Sequence, residues 1–411
     1  MPRPSTHLVG LDIGQTKVCV LIAEPRDAGA IDIVGFGSAP SRGMRKGVVV
    51  NLDACVSSIK QAVEEAELMA GCSVDRAFVG VAGAHVRGLN SRGVVAISGR
   101  DHEVTRDDVQ RVLAAARAVN IPPEREIFHV LPQEFMVDDQ DGIHDPAGMT
   151  GSKLQANVHI VTASVTAAQN LVNSVNRAGV EVEEVVLEQL AAADAVLTPD
   201  EKEMGVALID IGAGTSDLVI FERGAIRHIA ALPTGGEHVT NDIAVGLRTP
   251  IPEAERLKKN RGCALASLVG DEDTIEVPIV GGRKPRVLSR TLLCEIIQPR
   301  VEEIFALIAE EFARSNFDRS IHAGVVLTGG GSMLEGIQEM AERCLNVPVR
   351  RGSPSGLGGI SDTVATPQHS TVVGLTLYGA RRRQSVPQKL HHPFVLSRMG
   401  DMVRGWLSEL F

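Results

Sequence analysis

Two short segments of the chain have residue types that suit a phosphate and a divalent cation. Each reads D-I-G after an apolar strand, with Asp12 in the first segment and Asp210 in the second. A carboxylate at the end of a strand can hold Mg²⁺, usually through water. Glycine in the following turn lets backbone N–H groups approach phosphate oxygens closely. The pair predicts a site in which Asp12 and Asp210 face each other around a metal.

Both carboxylates are followed by small and polar residues that could surround phosphates. These residues are Gly14, Gln15, Thr16 and Lys17 in the first segment and Gly212, Ala213, Gly214 and Thr215 in the second. The ammonium of Lys17 could add a point charge on a phosphate. A single D-I-G segment is more often an ordinary hairpin, but residues 9–27 and 206–224 repeat one pattern. This duplication predicts two related lobes that each donate a hairpin to a shared cleft.

Two later segments could contact a nucleoside. In one, a buried strand is followed by three glycines and then by an expected helix, whose N-terminus would favour negative charge. In the other, a Glu and a Lys at i, i+3 share a helix face, where they could contact a ribose and base. Alone, a glycine-rich turn is weak evidence, and such a pair is more often a solvated salt bridge. The candidate residues are Gly329, Gly330, Gly331 and Ser332 in the first segment and Gly236, Glu255 and Lys258 in the second.

Composition excludes several other classes of protein. The 411 residues can form at least two lobes, and the net charge of −10 argues against binding a polyanion such as nucleic acid. Aromatic residues make up only 3%, too few for base-stacking platforms. The six cysteines are scattered without a C-x-x-C pair, which predicts reduced thiols in the cytoplasm. No stretch is apolar for long enough to cross a bilayer, and the N-terminus does not read as a signal peptide.

The hydrophobic pattern predicts the elements that position these residues. A hairpin is expected over 7–24, strands over 31–38, 47–51 and 77–83, and helices over 52–70 and 165–178. An inserted module over 85–162 should contain strands at 94–97, 126–137 and 153–162, a helix at 106–119 and a loop at 138–151. Residues 197–205 then read as the crossing into the second lobe.

The end of the chain differs from its body in charge and pattern. Residues 381–411 carry six basic and two acidic side chains, although the whole chain is acidic. Apolar residues recur at near-helical spacing through the last 18 residues, which is typical of a helix lying in a membrane interface. A helix docked on the protein's own core or on a partner is the alternative. The candidate membrane residues are Phe394, Val395, Met399, Met402, Val403, Trp406, Leu407, Leu410 and Phe411.

In this order the segments resemble the actin, Hsp70 and hexokinase superfamily of ATP-binding proteins. The resemblance implies an α/β, two-lobed actin-like fold (a duplicated ribonuclease-H-like fold) that binds ATP with Mg²⁺. Residues 186–197 are similar to the first connection between the lobes in that superfamily, and residues 371–382 to the second. By the resemblance, Glu188 stands where an acid or amide positions the attacking water. Gln189 stands where relatives often have proline, and Ala213 replaces a common glycine.

Within the superfamily the chain most resembles the FtsA family of bacterial cell-division proteins. The segment IHDPAGMTGSKLQANVHIVT (143–162), the place of the insertion and the basic, amphipathic tail carry this resemblance. It implies an actin-like filament, peripheral on the cytoplasmic face of the inner membrane at the septum, that tethers FtsZ and recruits later division proteins. It also implies capture of the FtsZ C-terminal peptide by Arg300 and Glu303, and at most slow ATP hydrolysis.

The resemblance also predicts how the chain divides. The first lobe should comprise 1–84, 163–200 and 366–380, the inserted α+β subdomain 85–162, the second lobe 201–242 and 318–365, its small subdomain 243–317, a flexible linker 381–393 and an amphipathic helix 394–411. A sugar or acetate kinase on the same scaffold is the main alternative, although no substrate-facing catalytic Asp is evident. A chaperone ATPase would need a peptide-binding domain after the second lobe, and a pilus-assembly relative has no reason to carry a membrane helix.

Overall fold

The structure is a computed structural model that describes residues 7–26, 30–98, 101–270, 272–279, 284–315 and 320–385. Within these ranges no helix is both long enough and apolar enough to span a membrane. The predicted membrane helix 394–411, with all nine of its candidate residues, lies outside the described residues. The last eight residues of the predicted linker, 386–393, lie outside them as well.

Strands and helices alternate along most of the described chain. The strands are β1 (Leu8–Ile13), β2 (Lys17–Pro25), β3 (Ile31–Pro40), β4 (Met44–Arg45), β5 (Val48–Val49), β6 (Arg76–Val81), β7 (Arg87–Ala96), β8 (Arg125–Val137), β9 (Gln140–Ile143), β10 (Lys153–Ser164), β11 (Glu181–Leu187), β12 (Val206–Ile211), β13 (Ser216–Glu222), β14 (Ala225–Leu232), β15 (Thr274–Val277), β16 (Arg286–Ser289), β17 (Val325–Thr328), β18 (Val349–Arg351) and β19 (Gly358–Gly359). The helices are α1 (Leu52–Ala70), α2 (Arg106–Arg117), α3 (Val165–Ala178), α4 (Glu188–Val196), α5 (Pro199–Met204), α6 (Gly236–Leu247), α7 (Ile251–Arg261), α8 (Arg290–Ser315), α9 (Ile337–Leu345) and α10 (Ser370–Ser385).

Two sheets repeat one pattern of pairing, as the duplicated sequence predicts. The first has the order β11-β6-β1-β2-β3-β19, and the second has the order β14-β13-β12-β17-β18. In each, a D-I-G strand pairs antiparallel with the strand after its turn and parallel with a strand far along the chain. The D-I-G strands are buried in both sheets, which explains their apolar composition. Two related lobes therefore each present a carboxylate at the end of a central strand.

The inserted module forms a four-stranded sheet in the order β7-β10-β8-β9, with α2 packed against it. Thr105 begins α2 with a capping box that it shares with Asp108. Two expectations for this module were wrong in detail. The predicted loop 138–151 contains strand β9, and the first strand begins at Arg87 rather than residue 94. The early part of β7 is polar, so the hydrophobic pattern could not reveal that it pairs with β10.

An apolar core joins the two lobes on one side. Helix α4 is rich in alanine and packs against α10, and buried side chains of both sheets belong to the same cluster. Gly374 of α10 lies so close to α4 that a methyl group in its place would overlap the carbonyl oxygen of Ala191. Small residues therefore set the distance between the two helices that connect the lobes.

Several predicted boundaries differ from the structure. Strand β19 pairs with β3 in the first sheet, although residues 318–365 were predicted to belong to the second lobe. The boundary predicted after residue 242 falls inside α6. Helix α10 continues to Ser385, so residues 381–385 of the predicted flexible linker are helical.

The basic residues at the end of α10 are already paired with acids of the first lobe. The pairs are Arg381 with Asp194, Arg382 with Glu184, and Arg383 with Glu183. Tyr378 also donates a hydrogen bond to Glu184, over 2.7 Å. These three cations therefore hold α10 to its lobe, and their charge is compensated within the fold.

We expect Gly374→Ala to lower the free energy of unfolding by about 1–3 kcal/mol, because the added methyl group overpacks the α4–α10 contact. Alanine favours a helix over glycine by up to about 1 kcal/mol, so a net loss would mean that the overlap dominates. Gly270→Ala is the control, since its new methyl group would meet no atom within 4 Å. Urea unfolding measures both variants, and equal stabilities would contradict the close packing.

Candidate functional site

The two D-I-G turns have the same internal hydrogen bond. The Gly14 N–H donates to the carbonyl of Lys17 over 3.0 Å, and the Gly212 N–H donates to the carbonyl of Thr215 over 2.9 Å. Each turn thus follows its carboxylate strand with the same local geometry. The match extends the duplication seen in the sheets to the residues predicted to bind phosphates.

Gln15 brings the two turns together. Its amide group donates to Glu237 of α6, and its carbonyl accepts the N–H of Lys46 over 2.7 Å. A methyl group at Gly214 would overlap the Gln15 side chain. The carbonyl of Ala213 accepts the N–H of Glu237. Predicted phosphate residues of both lobes therefore meet across the cleft.

The other two residues of the first turn lie at its edge. The Thr16 side chain is exposed, and its backbone carbonyl accepts the Ser41 N–H over 3.0 Å. Lys17 donates to the carbonyl of Gln368 over 2.7 Å. The Lys17 charge nevertheless acts on the cleft, since it lowers the pKa values of nearby carboxyl groups.

Four carboxyl groups lie together in this cleft. Burial raises the pKa of Asp12 to about 6, against the opposing charge of Lys17. Burial raises the pKa of Asp210 to about 7, and the charges of Asp217 and Asp12 add to the effect. Burial and the charges of Asp12, Asp217 and Asp210 raise the pKa of Glu188 well above its usual value. The structure therefore places the predicted metal and water-positioning residues within one electrostatic cluster.

Asp217 is the member of the cluster that the sequence analysis missed. Burial raises its pKa to about 6 although Thr215, Gly83 and Gln189 donate hydrogen bonds to it. Asp217 lies opposite Asp210 in the β12–β13 pair, where the first lobe has Cys19 opposite Asp12. A carboxylate inside an otherwise apolar buried strand was the signal that could have revealed it.

The donor set fits Mg²⁺ that is bound together with phosphates. Among the residues that the structure describes, no three His, Cys, Asp or Glu side chains are arranged to hold a metal alone. Mg²⁺ keeps several waters and is usually bound by one or two carboxylates plus substrate phosphates. Asp12 and Asp210 could supply those carboxylates, and a cation would offset their mutual repulsion.

The predicted ribose-contacting residues also come together. Lys258 lies 2.7 Å from Glu255 and donates to the carbonyl of Gly236 over 2.9 Å and to the hydroxyl of Thr240 over 2.8 Å. Burial alone would raise the pKa of Glu255, but the charge and hydrogen bonds of its neighbours, chiefly Lys258, lower it. The pair is therefore a partly buried feature that joins α7 to the start of α6.

The glycine-rich turn after β17 differs from its prediction. A 3₁₀ helix over Gly330–Met333 follows the strand, and α9 begins only at Ile337. The expected helix N-terminus thus does not follow the glycines directly. Gly329 has φ 81° and abuts Asp210, so glycine is needed there for both conformation and space.

The other predicted residues of this turn differ in exposure. Gly330 is exposed and Gly331 is half-buried against Ile211. Ser332 is buried, and its hydroxyl donates to the carbonyl of Gly329 over 2.7 Å. Its hydroxyl therefore shapes the turn, and the geometry gives no support to a direct nucleotide contact by this side chain.

The predicted partner-binding residues lie away from the cleft, on α8. Arg300 donates to both carboxylate oxygens of Asp242 on α6, over 2.6 and 3.2 Å, and also contacts Glu303. The Asp242 hydrogen bonds raise the pKa of Arg300 above its usual value. Asp242 was not predicted, because an ion pair between helices 58 residues apart leaves no local pattern.

Comparison with known proteins agrees with this architecture. The family model "Cell division protein FtsA" matches residues 207–374, and the model "SHS2 domain inserted in FTSA" matches residues 83–162. A cell division protein FtsA from Pseudomonas aeruginosa is 51% identical over 376 residues, covering 92% of this chain and 90% of that protein. The chain belongs to the FtsA family. The Escherichia coli K12 FtsA is 41% identical, covering 98% and 96%, and the Bacillus subtilis FtsA is 38% identical, covering 93% and 85%.

Solved structures show the actin-like fold of this FtsA-family chain. A PilM-PilN type IV pilus biogenesis complex matches with a TM-score of 0.66 at 17% identity, covering 92% of this chain and 99% of that one. MreB5 of Spiroplasma citri bound to ADP matches with a TM-score of 0.55 at 14% identity, covering 93% and 99%. The predicted fold class and family are thereby confirmed. The chain is an actin-like cell-division protein, and the kinase and chaperone alternatives lose their support.

We expect Asp210→Asn to stabilise the FtsA-family chain at pH 8 without Mg²⁺ or nucleotide. The raised pKa of Asp210 means that between pH 3.8 and about 7 the folded chain binds more protons than the unfolded chain. Its stability therefore falls as pH rises through that window. Removing the charge should add on the order of 2 kcal/mol to the free energy of unfolding at pH 8, and less at pH 5.

Thermal unfolding at pH 5 and pH 8 measures this effect. Asp75→Asn, which removes an exposed carboxylate from the start of the first-lobe sheet, is the matched control and should change little at either pH. With Mg²⁺ and ATP present, the wild type should gain stability and Asp210→Asn should gain much less. If the difference in stability between Asp210→Asn and the wild type did not depend on pH, the interpretation that Asp210 has a raised pKa in the carboxyl cluster would be wrong.

Proposed function

We propose that this FtsA-family chain binds ATP with Mg²⁺ in the cleft between its lobes. The observation that carries the proposal is the cluster of four carboxyl groups between two glycine-containing turns, one turn from each lobe. Two MreB5 structures of the same fold were solved bound to ADP and to AMPPNP, which supports nucleotide binding by this chain.

The proposed roles follow from the positions of the side chains. Asp12 and Asp210 would hold the cation, and the backbone N–H groups of both turns would face phosphates. Mg²⁺ would neutralise phosphate charge when bound. Burial and the neighbouring carboxyl groups raise the pKa of Glu188. Its place by resemblance to the superfamily supports a role in orienting the attacking water, with hydrolysis that is at most slow.

Beyond the cleft, the proposal is an actin-like filament that tethers FtsZ to the membrane at the septum. The chain would polymerise at the cytoplasmic face of the inner membrane and be held there peripherally by residues 394–411. Weak single anchors become firm when many are carried by one polymer, because later binding events are intramolecular. The similar proteins are cell division proteins, which supports this setting. Recruitment of later division proteins belongs to the same proposal.

Vesicle flotation with ATP tests the tether. The full chain should float and should carry FtsZ with it, whereas a chain ending at Pro393 should stay at the bottom of the tube. FtsZ lacking its C-terminal peptide should remain below in both cases. Equal flotation of the full and shortened chains would show that residues 394–411 do not bind the chain to the membrane.

Two single substitutions serve as a matched pair in the same assay. Trp406→Glu places a charge in the apolar stripe and should lower vesicle binding roughly tenfold, because burying an unpaired charge in lipid is costly. Ser408→Glu adds the same charge on the polar face and should have a much smaller effect. Equal losses would mean that net charge, rather than the amphipathic face, governs binding.

Arg300 is proposed to contribute to binding the FtsZ C-terminal peptide from α8. Arg300→Ala should weaken peptide binding roughly tenfold, since a charge-assisted hydrogen bond is worth about 1.5–3 kcal/mol. Arg256→Ala is the control, because Arg256 also pairs with an acid three residues away but lies on α7. Fluorescence anisotropy with a labelled peptide measures both variants. Wild-type affinity in Arg300→Ala would leave the arginine as a purely structural link between α8 and α6.

A further inference from the structure

The Asp217 carboxylate accepts a buried hydrogen bond that joins the two lobes. It belongs to β13 of the second lobe and is only 7% exposed. Its own turn supplies the Thr215 hydroxyl over 2.8 Å. The first lobe supplies the Gln189 amide of α4 over 2.9 Å, and the backbone of Gly83 in the same lobe also lowers the pKa of this carboxyl group. A second-lobe charge is thus solvated largely by first-lobe groups.

Among the described residues, the Gln189 side chain makes no hydrogen bond other than the one to Asp217. The side chain is 1% exposed, and its carbonyl oxygen is buried without a partner among the residues that the structure describes. An unpaired buried carbonyl destabilises the fold. Any stabilisation by the Gln189 side chain must therefore come from the hydrogen bond that its amide N–H₂ group donates.

One other bridge between the lobes, at the surface, is weaker on physical grounds. Gln15 also joins the lobes through Glu237, but that pair is exposed, and water competes for both groups. The bond from Gln189 to Asp217 is buried and charge-assisted, and both conditions strengthen it. The Asp217 contacts therefore contribute more to holding the lobes together than the surface bridge does.

Gly83 connects these contacts to the first phosphate turn. It packs so closely on the turn between β4 and β5 that a methyl group in its place would overlap the carbonyl of Lys46. The N–H of Lys46 in turn donates to Gln15. Close packing of Gly83 on Lys46, and the bond from Lys46 to Gln15, therefore link the neighbourhood of Asp217 to the first phosphate turn.

We propose that Gln189 is a positioning residue that holds Asp217 of the second lobe against the first lobe and so keeps the nucleotide cleft closed. Asp217, Gln189 and Gly83 form this buried clasp. Loss of the clasp would let the lobes separate more often and release bound nucleotide faster. The nucleotide part of the proposal rests on the proposed ATP binding, whereas the clasp itself can be tested on the nucleotide-free chain.

Gln189→Met is the informative substitution, because methionine is similar in volume and lacks the donor. Hydrogen exchange of the nucleotide-free chain should be roughly tenfold faster in peptides that contain Gly83, since losing a buried charge-assisted bond changes the equilibrium at least tenfold. Exchange in β12 should stay the same. Gln189→Asn, whose shorter amide cannot reach Asp217, should behave in the same way.

Gln338→Met is the matched control. The Gln338 amide donates to the carbonyl of Val349 over 2.8 Å, entirely within the second lobe. The Gln338→Met variant should leave hydrogen exchange at Gly83 unchanged. Unchanged exchange at Gly83 in Gln189→Met, or an equal rise throughout the chain, would overturn the clasp.

Release of a fluorescent ATP analogue with Mg²⁺ tests the second step. Gln189→Met should release it roughly tenfold faster than the wild type, and Gln338→Met should not. If the wild type binds no analogue while exchange at Gly83 still rises, the clasp stands and the proposed nucleotide function fails. If exchange rises but release is unchanged, the link between the clasp and nucleotide retention is wrong.

Discussion

Mutual repulsion of carboxyl groups buried between two lobes is the constraint on which the rest of this structure depends. Asp12 and Asp217 are buried and Glu188 and Asp210 are half-buried there, and the charges of Asp12 and Asp217 raise the pKa values of both Glu188 and Asp210. Such a cluster is costly unless donors, cations or protons compensate it. The surrounding elements provide the donors: Thr371 of α10 bonds to Asp210, for example. The apolar core on the other side of the lobes supplies the burial energy that allows this arrangement.

The inserted module is part of the same arrangement. Its strand β8 carries His129, which is buried and accepts the N–H of Leu187 over 3.3 Å, just before Glu188. Burial lowers the pKa of His129 to about 4, so the ring is neutral and can accept that bond at neutral pH. The second lobe is contacted too, because Gln133 donates to the carbonyl of Ile226 over 2.8 Å. The module thus touches both lobes, and its removal would affect the cleft.

Local patterns made much of the fold predictable from the sequence. Helix α1 was predicted over its full length because its buried residues recur at helical spacing and Gly71 ends it in a left-handed conformation. The D-I-G hairpins were visible because the duplication reinforced them. What the sequence could not reveal depends on contacts between distant segments. Asp217 and the pairing of β19 with β3 are examples, since neither has a local pattern of its own.

The three arginine pairs at the end of α10 have a mechanical consequence. Because Arg381, Arg382 and Arg383 bind acids of α4 and β11, the chain leaves the described fold from the first lobe at a fixed place. An anchor attached beyond Ser385 would therefore pull directly on the first lobe. When the cleft opens, the second lobe would rotate relative to α10. Opening of the cleft would therefore change the tilt of the second lobe relative to the anchor.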